Sequence, residues 1–473
     1  MRQRWARVLR GATGGMAALL GVTLAAGVAS AGDAKVHTYR LDNGLKIIVK
    51  EDHRAPVVVS QIWYKVGGSY ENDGHTGISH VLEHMMFKGT KRYPAGEFSR
   101  IIAQNGGREN AFTGRDYTAY FQQLAKDRLP ISFKLESDRM RHLTLPPEAF
   151  KKELRVVLEE RRMRTDDQPR ALTYEQFYAT AFMANPYHHP IIGWKNDIEH
   201  LTDADVRRWY HDWYAPNNAT LVVVGDVDPK WVYDQAKRYF GPLQPSKLTA
   251  PKPRIEPAQT GPRHITVSLP AELPYLLIGY KVPVLKTAEH DWEPYALEVL
   301  AGILDGGDSA RFARDLVRGQ QVAASAGTDY DLYALHNDLF VIDATPADGH
   351  TLAQVRSAIA KEIGRLKRQP VSEKELNRIK AQVVASQVYQ RDSMFYQAMQ
   401  IGILETVGLG WQRLDEYVDR IRSVTPAQVQ AVARKYLVDK GMTVAQLKPL
   451  PLEGKRPRGP NAGPRGVIDG HMH

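Results

Sequence analysis

Apolar and polar residues alternate along residues 36–41 and again along 45–49, with Asp42-Asn43-Gly44 between them. A period of two marks half-buried strands, and the Asn-Gly pair suits the tight turn of a hairpin. Residues 57–66 read as a further strand. Then the period changes. Over 78–88 the apolar residues Ile78, Val81, Leu82, Met85 and Met86 return every three or four positions, which predicts a helix. A longer helix is expected over 147–164, and a strand over 220–224 that ends at Gly225-Asp226.

The pattern breaks over 241–262, where Pro242, Pro245, Pro251, Pro253, Pro257 and Pro262 fall close together. Such a stretch is extended and semi-rigid, and it predicts a linker. On either side of it the chain repeats itself. Tyr64-Lys65-Val66 closes a strand in the first half, and Tyr280-Lys281-Val282 closes one in the second, 216 positions later. Leu201-Thr202-Asp203-Ala204-Asp205-Val206 opens a helix that runs to Trp213-Tyr214. Val424-Thr425-Pro426-Ala427-Gln428-Val429 opens another, running to Tyr436, 223 positions on. Thr202 and Thr425 are the expected N-caps. Two matches in the same order at nearly the same offset indicate a duplication. The expected organisation is a first domain over 32–240, the linker over 241–262, a second domain over 263–450 and a disordered tail over 451–473. His471 and His473 belong to that tail.

Composition then narrows the picture. With 473 residues, 43% apolar and 25% charged, the chain is long enough for two globular domains. Residues 1–31 stand apart. Arg2, Arg4, Arg7 and Arg10 precede a run of small and apolar residues that ends at Ala29-Ser30-Ala31. This is the pattern of a secretory signal peptide cleaved after Ala31, and it predicts export to a periplasmic setting. No other stretch is long and apolar enough to span a bilayer. Without those four arginines the formal charge falls from +10 to +6. The basic residues are dispersed, apart from Lys455, Arg456, Arg458 and Arg465, and nothing marks a nucleic-acid surface. Cysteine is absent, which excludes disulfides, thiolate metal sites and thiol nucleophiles. Any metal must be held by His, Asp or Glu.

The helix over 78–88 carries such residues. His80-Val81-Leu82-Glu83-His84 has the form H-x-x-E-H. Positions i and i+4 share a helix face, so both imidazoles can reach one metal ion, with the Glu83 carboxylate beside them. Two His and a Glu among core-type residues need a purpose, because burying them unpaired is costly. Catalytic zinc takes three protein ligands and keeps one position open. The helix over 147–164 offers Glu153, Glu159 and Glu160 for the third. Glu153 and Glu160 lie on one face, and Glu159 lies off it.

The stretch Gly77-Ile78-Ser79-His80-Val81-Leu82-Glu83-His84-Met85-Met86-Phe87-Lys88-Gly89-Thr90 resembles the signature of the pitrilysin/insulinase zinc peptidases. It is most similar to the two-domain branch that includes mitochondrial processing peptidase and its bacterial relatives. Asn110-Ala111-Phe112-Thr113, Tyr117-Thr118-Ala119-Tyr120, Pro190-Ile191-Ile192-Gly193 and Tyr214-Ala215-Pro216-Asn217-Asn218 extend the likeness, as does Gly306-Gly307-Asp308-Ser309-Ala310-Arg311. The resemblance implies an α+β fold of two homologous α/β-sandwich domains, each a mixed sheet with flanking helices. It implies one Zn²⁺ per chain, held by His80, His84 and Glu160, with Glu153 supporting the ligands and Glu83 as the catalytic base. It also implies that Asn110, Ala111, Phe112 and Thr113 form an edge strand on which a peptide substrate aligns, inside a closed chamber between the two halves.

One departure stands out. The family's second domain supplies an Arg and a Tyr, seven residues apart, after the Gly-rich turn. Here the matching positions fall near Val317 and Ala324, while Arg318 is followed seven residues later by Ser325, and Tyr330 and Tyr333 come later still. The counterpart of the metal helix, Tyr295-Ala296-Leu297-Glu298-Val299-Leu300, has no His. The expectation is therefore the zinc-bearing subunit of a heterodimer whose homologous partner carries the Arg/Tyr pair. The alternatives are a self-sufficient homodimer and a non-catalytic structural subunit.

Overall fold

The alternating residues fold as their period demands. The computed structural model describes residues 35–452, so the leader expected over 1–31 and His471 and His473 of the tail lie outside it. In the first half the strands are β1 (Val36–Arg40), β2 (Lys46–Glu51), β3 (Val57–Tyr64), β4 (Arg108–Thr113), β5 (Thr118–Ala125) and β6 (Ala219–Gly225). They form one mixed sheet in the order β1-β2-β6-β3-β5-β4. Only β2 and β6 run parallel. In the second half the strands are β7 (Arg263–Pro270), β8 (Tyr275–Val282), β9 (Ala323–Asp329), β10 (Asp338–Pro346) and β11 (Met442–Leu450). Their order is β7-β11-β8-β10-β9, and only β7 and β11 run parallel. Without β1, the two sheets have the same order and the same strand directions. The register agrees with the repeat in the sequence: Tyr64 faces Ala219, and Tyr280 faces Met442.

Seven helices frame the site and the junction between the halves. These are α1 (Ile78–Met85), α2 (Pro147–Arg161), α3 (Pro169–Ala181), α4 (Asp203–Trp213), α5 (Trp292–Asp305), α6 (Met394–Thr406) and α7 (Pro426–Tyr436). Thr202 caps α4 by accepting from the Asp205 N–H, and Thr425 caps α7 by accepting from the Gln428 N–H. Two helices end earlier than their periodicity suggests. α1 stops at Met85, and α2 passes at Arg161 into a π turn, Arg162–Asp166. No described helix is long and apolar enough to cross a membrane.

The central strands are apolar on both faces because both faces are covered. Ile47, Val49, Ile62, Leu221 and Val223 point into a core shared with α1. Their neighbours Ile48, Val59, Trp63, Val222 and Val224 point the other way, against Ala398 and Ile401 of α6. Thus a helix of the second half covers the first sheet. The reverse also holds: α3, from the first half, lies on β7, β8 and β11. Each contact is made close by a glycine. A Cβ on Gly402 would sit 2.0 Å from the Trp63 ring, and one on Gly279 would sit 2.5 Å from Phe177. The two halves therefore meet through exchanged helices.

The stretch over 241–262 contains no helix or strand, yet it is tied to both halves. Arg254 donates to Glu71 O at 2.5 Å and Asn72 Oδ1 at 2.8 Å. Glu256 accepts from the Ala184 and Asn185 N–H groups and pairs with Lys281 Nζ at 2.6 Å.

Candidate metal centre

The helix α1 is built on a loop that only glycine permits. Gly77, its N-cap, has φ +86, and a Cβ there would meet Ile192 O at 2.4 Å. Gly193 presses back on Thr76 just as closely. Glycine has no side chain to cap the helix, so a distant carboxylate does. Glu71 accepts from the Gly77 N–H at 2.7 Å and from the Ser79 N–H at 2.9 Å. Asp197 holds the loop below through the Gly74 N–H and both donors of Thr76. Val81, Leu82 and Met85 fix the helix in the core. Its other face then presents His80, Glu83 and His84, all half-buried.

The helix α2 brings the third group. His80 Nε2 lies 3.8 Å from Glu160 Oε2, and His84 Nε2 lies 3.4 Å from the same oxygen. One ligand atom from each of the three falls within 4.8 Å of the others, the only such group among the described residues. Glu153, two turns earlier on α2, meets His84 Nδ1 at 3.0 Å and Lys88 Nζ at 2.6 Å. Arg164, in the π turn, holds the other oxygen of Glu160 at 2.5 Å. Glu159 points away and pairs with Arg162.

The electrostatics suit a bound cation. Burial lowers His80 to about 4, with His84 adding to the effect. Burial also works against the charged form of His84, but Glu153 and Glu160 overcome it and raise the ring to about 9. Burial would raise Glu160, yet His84, His80 and Arg164 hold it at about 2. Burial pushes Glu83 up to about 7, against a hydrogen bond donated by the Thr113 hydroxyl. His80 Nδ1 is buried and has no hydrogen-bond partner. Two imidazole nitrogens and one carboxylate oxygen converging on a point are a donor set that suits Zn²⁺.

Asn110, Ala111, Phe112 and Thr113 lie on β4, the terminal strand of its sheet. Alternation sends Ala111 and Thr113 toward α1, while Phe112 packs edge-on against Trp63 with ring centroids 5.4 Å apart. The candidates in the second half are not brought to this site by any described bond. Arg318 donates to Asp308 O, and the Tyr330 hydroxyl donates to Pro283 O at 2.7 Å, both inside that half. Three supporting residues were missed by sequence reasoning. Arg164 follows Glu160 by four residues, a spacing that a search for helical ion pairs would have found, whereas the partner of Lys88 is Glu153 on a distant helix. For Glu71 the sequence held no signal.

Two repeated sheets, exchanged helices and, among the described residues, one helix-borne His/His/Glu cluster define a duplicated scaffold with a candidate metal site. Comparison with known proteins gives the class. Residues 46–195 match the insulinase (peptidase family M16) domain, and residues 200–383 match the peptidase M16 inactive domain. The zinc protease PqqE of Helicobacter pylori is 31% identical over 92% of this chain and 98% of its own. An uncharacterised zinc protease of Bacillus subtilis, YmxG, is 25% identical over 85% of this chain and 96% of its own. The crystal structure of a protease from Helicobacter pylori matches at a TM-score of 0.83, covering 88% of this chain and all of that one. This chain belongs to the M16 (insulinase) peptidase family.

Proposed function

We propose that this chain is a zinc-dependent endopeptidase acting on peptides or unfolded segments, and that it is the zinc-bearing member of a heterodimer. The convergence of His80, His84 and Glu160 beside Glu83 carries this reading. His80 Nε2, His84 Nε2 and one oxygen of Glu160 would hold one ion per chain, with Glu153 fixing the His84 ring through Nδ1. When bound, the ion supplies Lewis acidity that polarises a peptide carbonyl and makes water more acidic. Glu83 takes a proton from the attacking water and returns it to the leaving amine. Asn110 to Thr113 align the substrate backbone as an added strand on the outer edge of β4.

The pairing rests on what the second half lacks. No Arg and Tyr stand seven residues apart after its Gly-rich turn, and Arg318 and Tyr330 are bonded elsewhere. A homologous partner would supply that pair. The two halves of this chain are in contact through α3 and α6, so in place of the chamber expected between them we propose one whose far wall belongs to the partner. Residues 1–31 carry export to the periplasm as part of the same reading.

The test is a zinc-loaded chain beside its Glu83→Gln variant, each assayed alone and with a homologous subunit that carries the Arg/Tyr pair. We expect one zinc in both, and cleavage only by the parent with its partner present. Cleavage by Glu83→Gln would remove the base assignment. Full activity of the parent alone would replace the heterodimer with a homodimer. Zinc without cleavage in any combination would make this a structural subunit.

A further inference from the structure

The hydroxyl of Thr113 donates to Glu83 Oε2. Thr113 is the last residue of β4 and is buried. Its side chain is therefore engaged by the proposed base, and is not presented to a peptide on the strand's open edge. The turn immediately after Thr113 is held from an unexpected quarter. The Arg115 guanidinium bonds Asp338 Oδ2 at 2.8 Å and lies over the rings of Tyr178 and Tyr187, 4.4 and 4.7 Å from their centroids. Asp116 is buried. One of its oxygens accepts from the Ser69 hydroxyl at 2.7 Å. The other accepts from the Tyr187 hydroxyl at 2.5 Å and from the Leu335 N–H at 3.0 Å. Leu335 and Asp338 belong to the second half, at the head of β10.

We propose that Thr113 is a positioning residue for Glu83, and that the second half sets its position by gripping Arg115 and Asp116. This rests on the reading of Glu83 as the base. A carboxylate on a short helix has rotamer freedom of its own. A hydrogen bond from a strand fixes one oxygen and aims the other. The strand end can do this only if it is itself fixed, and the turn after it is anchored at two points more than two hundred residues away in sequence. The metal-free half would then contribute to catalysis without touching substrate, by holding the segment that aims the base. Misplacement of a reacting group by about 1 Å costs on the order of 100-fold in rate.

The experiment uses the full zinc-loaded chain, with its partner subunit if cleavage requires one, on an unstructured peptide. Thr113→Val keeps the shape and removes the donor. Thr113→Ser keeps the donor. We expect Thr113→Val to hold its zinc and its KM but to lose kcat by about 10- to 100-fold, and Thr113→Ser to recover most of it. Asp338→Asn should lower kcat several-fold in the parent and have little further effect in Thr113→Val, because both act along one path. A raised KM with unchanged kcat in Thr113→Val would overturn the proposal and return Thr113 to substrate binding. Additive losses would overturn the role of the second half. If Glu83→Gln still cleaves, the base assignment itself fails. If Glu83→Gln is dead while Thr113→Val is fully active, only this proposal fails. Melting temperatures of the Thr113→Val and Glu83→Ala cycle supply a readout apart from activity, and additivity there would deny the bond.

Discussion

The helices α1 and α5 occupy the same place in the two halves. Each follows the equivalent strand, β3 or β8, and each packs on the Thr-capped helix of its own half, α4 or α7. Their inward faces differ in kind. α5 buries Tyr295, Leu297, Val299, Leu300, Ile303 and Leu304. α1 is shorter and gives three of its eight positions to His80, Glu83 and His84. The scaffold therefore needs only an apolar helix here. The proposed ligands and base are an addition, tolerated because α2 and the π turn bring Glu153, Glu160 and Arg164 to meet them. The harshest test makes α1 more like α5. His80→Leu should take zinc from one per chain to nearly none and reduce cleavage to background. Without metal its stability should be equal to the parent's or higher by up to about 1 kcal/mol, because the buried and unpartnered Nδ1 is gone. Zinc titration with and without chelator, followed by thermal melts, reads both. A His80→Leu chain that still binds one zinc would deny that the ligands are what separates α1 from α5.

The exchanged helices offer a second contrast of the halves. α6 meets the first sheet at Gly402, where an added methyl would fall within 2.0 to 2.5 Å of three atoms of the Trp63 indole. Trp63 is wholly buried and donates to Gln61 Oε1 at 2.9 Å, so it has nowhere to go. On the other side, Gly279 of β8 meets only the edge of the Phe177 ring and one methyl of Leu339. We expect Gly402→Ala to cost about 3 kcal/mol and Gly279→Ala about 1 kcal/mol. Chemical denaturation of both variants checks the order. Equal losses would mean that the two contacts are equally plastic, and would remove the asymmetry.

Much of this was legible in the chain because it is local. The hairpin at Asn43-Gly44, the apolar face of α1 and the caps Thr202 and Thr425 depend on neighbours in sequence. So does the pairing of Glu153 with Glu160, since seven residues are two helical turns. What could not be read is what the exchange of helices brings together. Nothing near Gly402 names Trp63, 339 positions earlier, as its neighbour. Nor does Arg115 point to Asp338, 223 positions away, although the two make a bond of 2.8 Å. The same holds for Arg254 and Glu256, whose bonds to Glu71 O and to Lys281 make the proline-rich stretch a brace between the halves as well as a spacer.

A pH-dependent effect separates the heads of the two helices. At the head of α5, Glu293 is met by Lys435 Nζ at 2.6 Å and by the Tyr436 hydroxyl at 2.8 Å. At the head of α1, the Glu71 carboxyl is fully buried and receives the two N–H groups of Gly77 and Ser79. Its nearest basic side chain among the described residues is His189, 4.0 Å away, whose ring burial lowers to about 4 and so keeps neutral. Burial wins over the two donors and pushes the Glu71 carboxyl up to about 8. Its folded pKa therefore lies above its unfolded one. Between about pH 4.5 and about pH 8 the folded chain binds a proton that the unfolded chain does not, so stability is greatest at the low end and is lost as pH rises. Glu71→Gln cannot titrate and should show a shallower fall. Melting temperatures of the two metal-free chains from about pH 5 to about pH 8 isolate the difference, since the metal ligands titrate alike in both. Parallel curves would mean that Glu71 is ionised throughout, held so by the helix dipole at the Gly77 and Ser79 N–H groups.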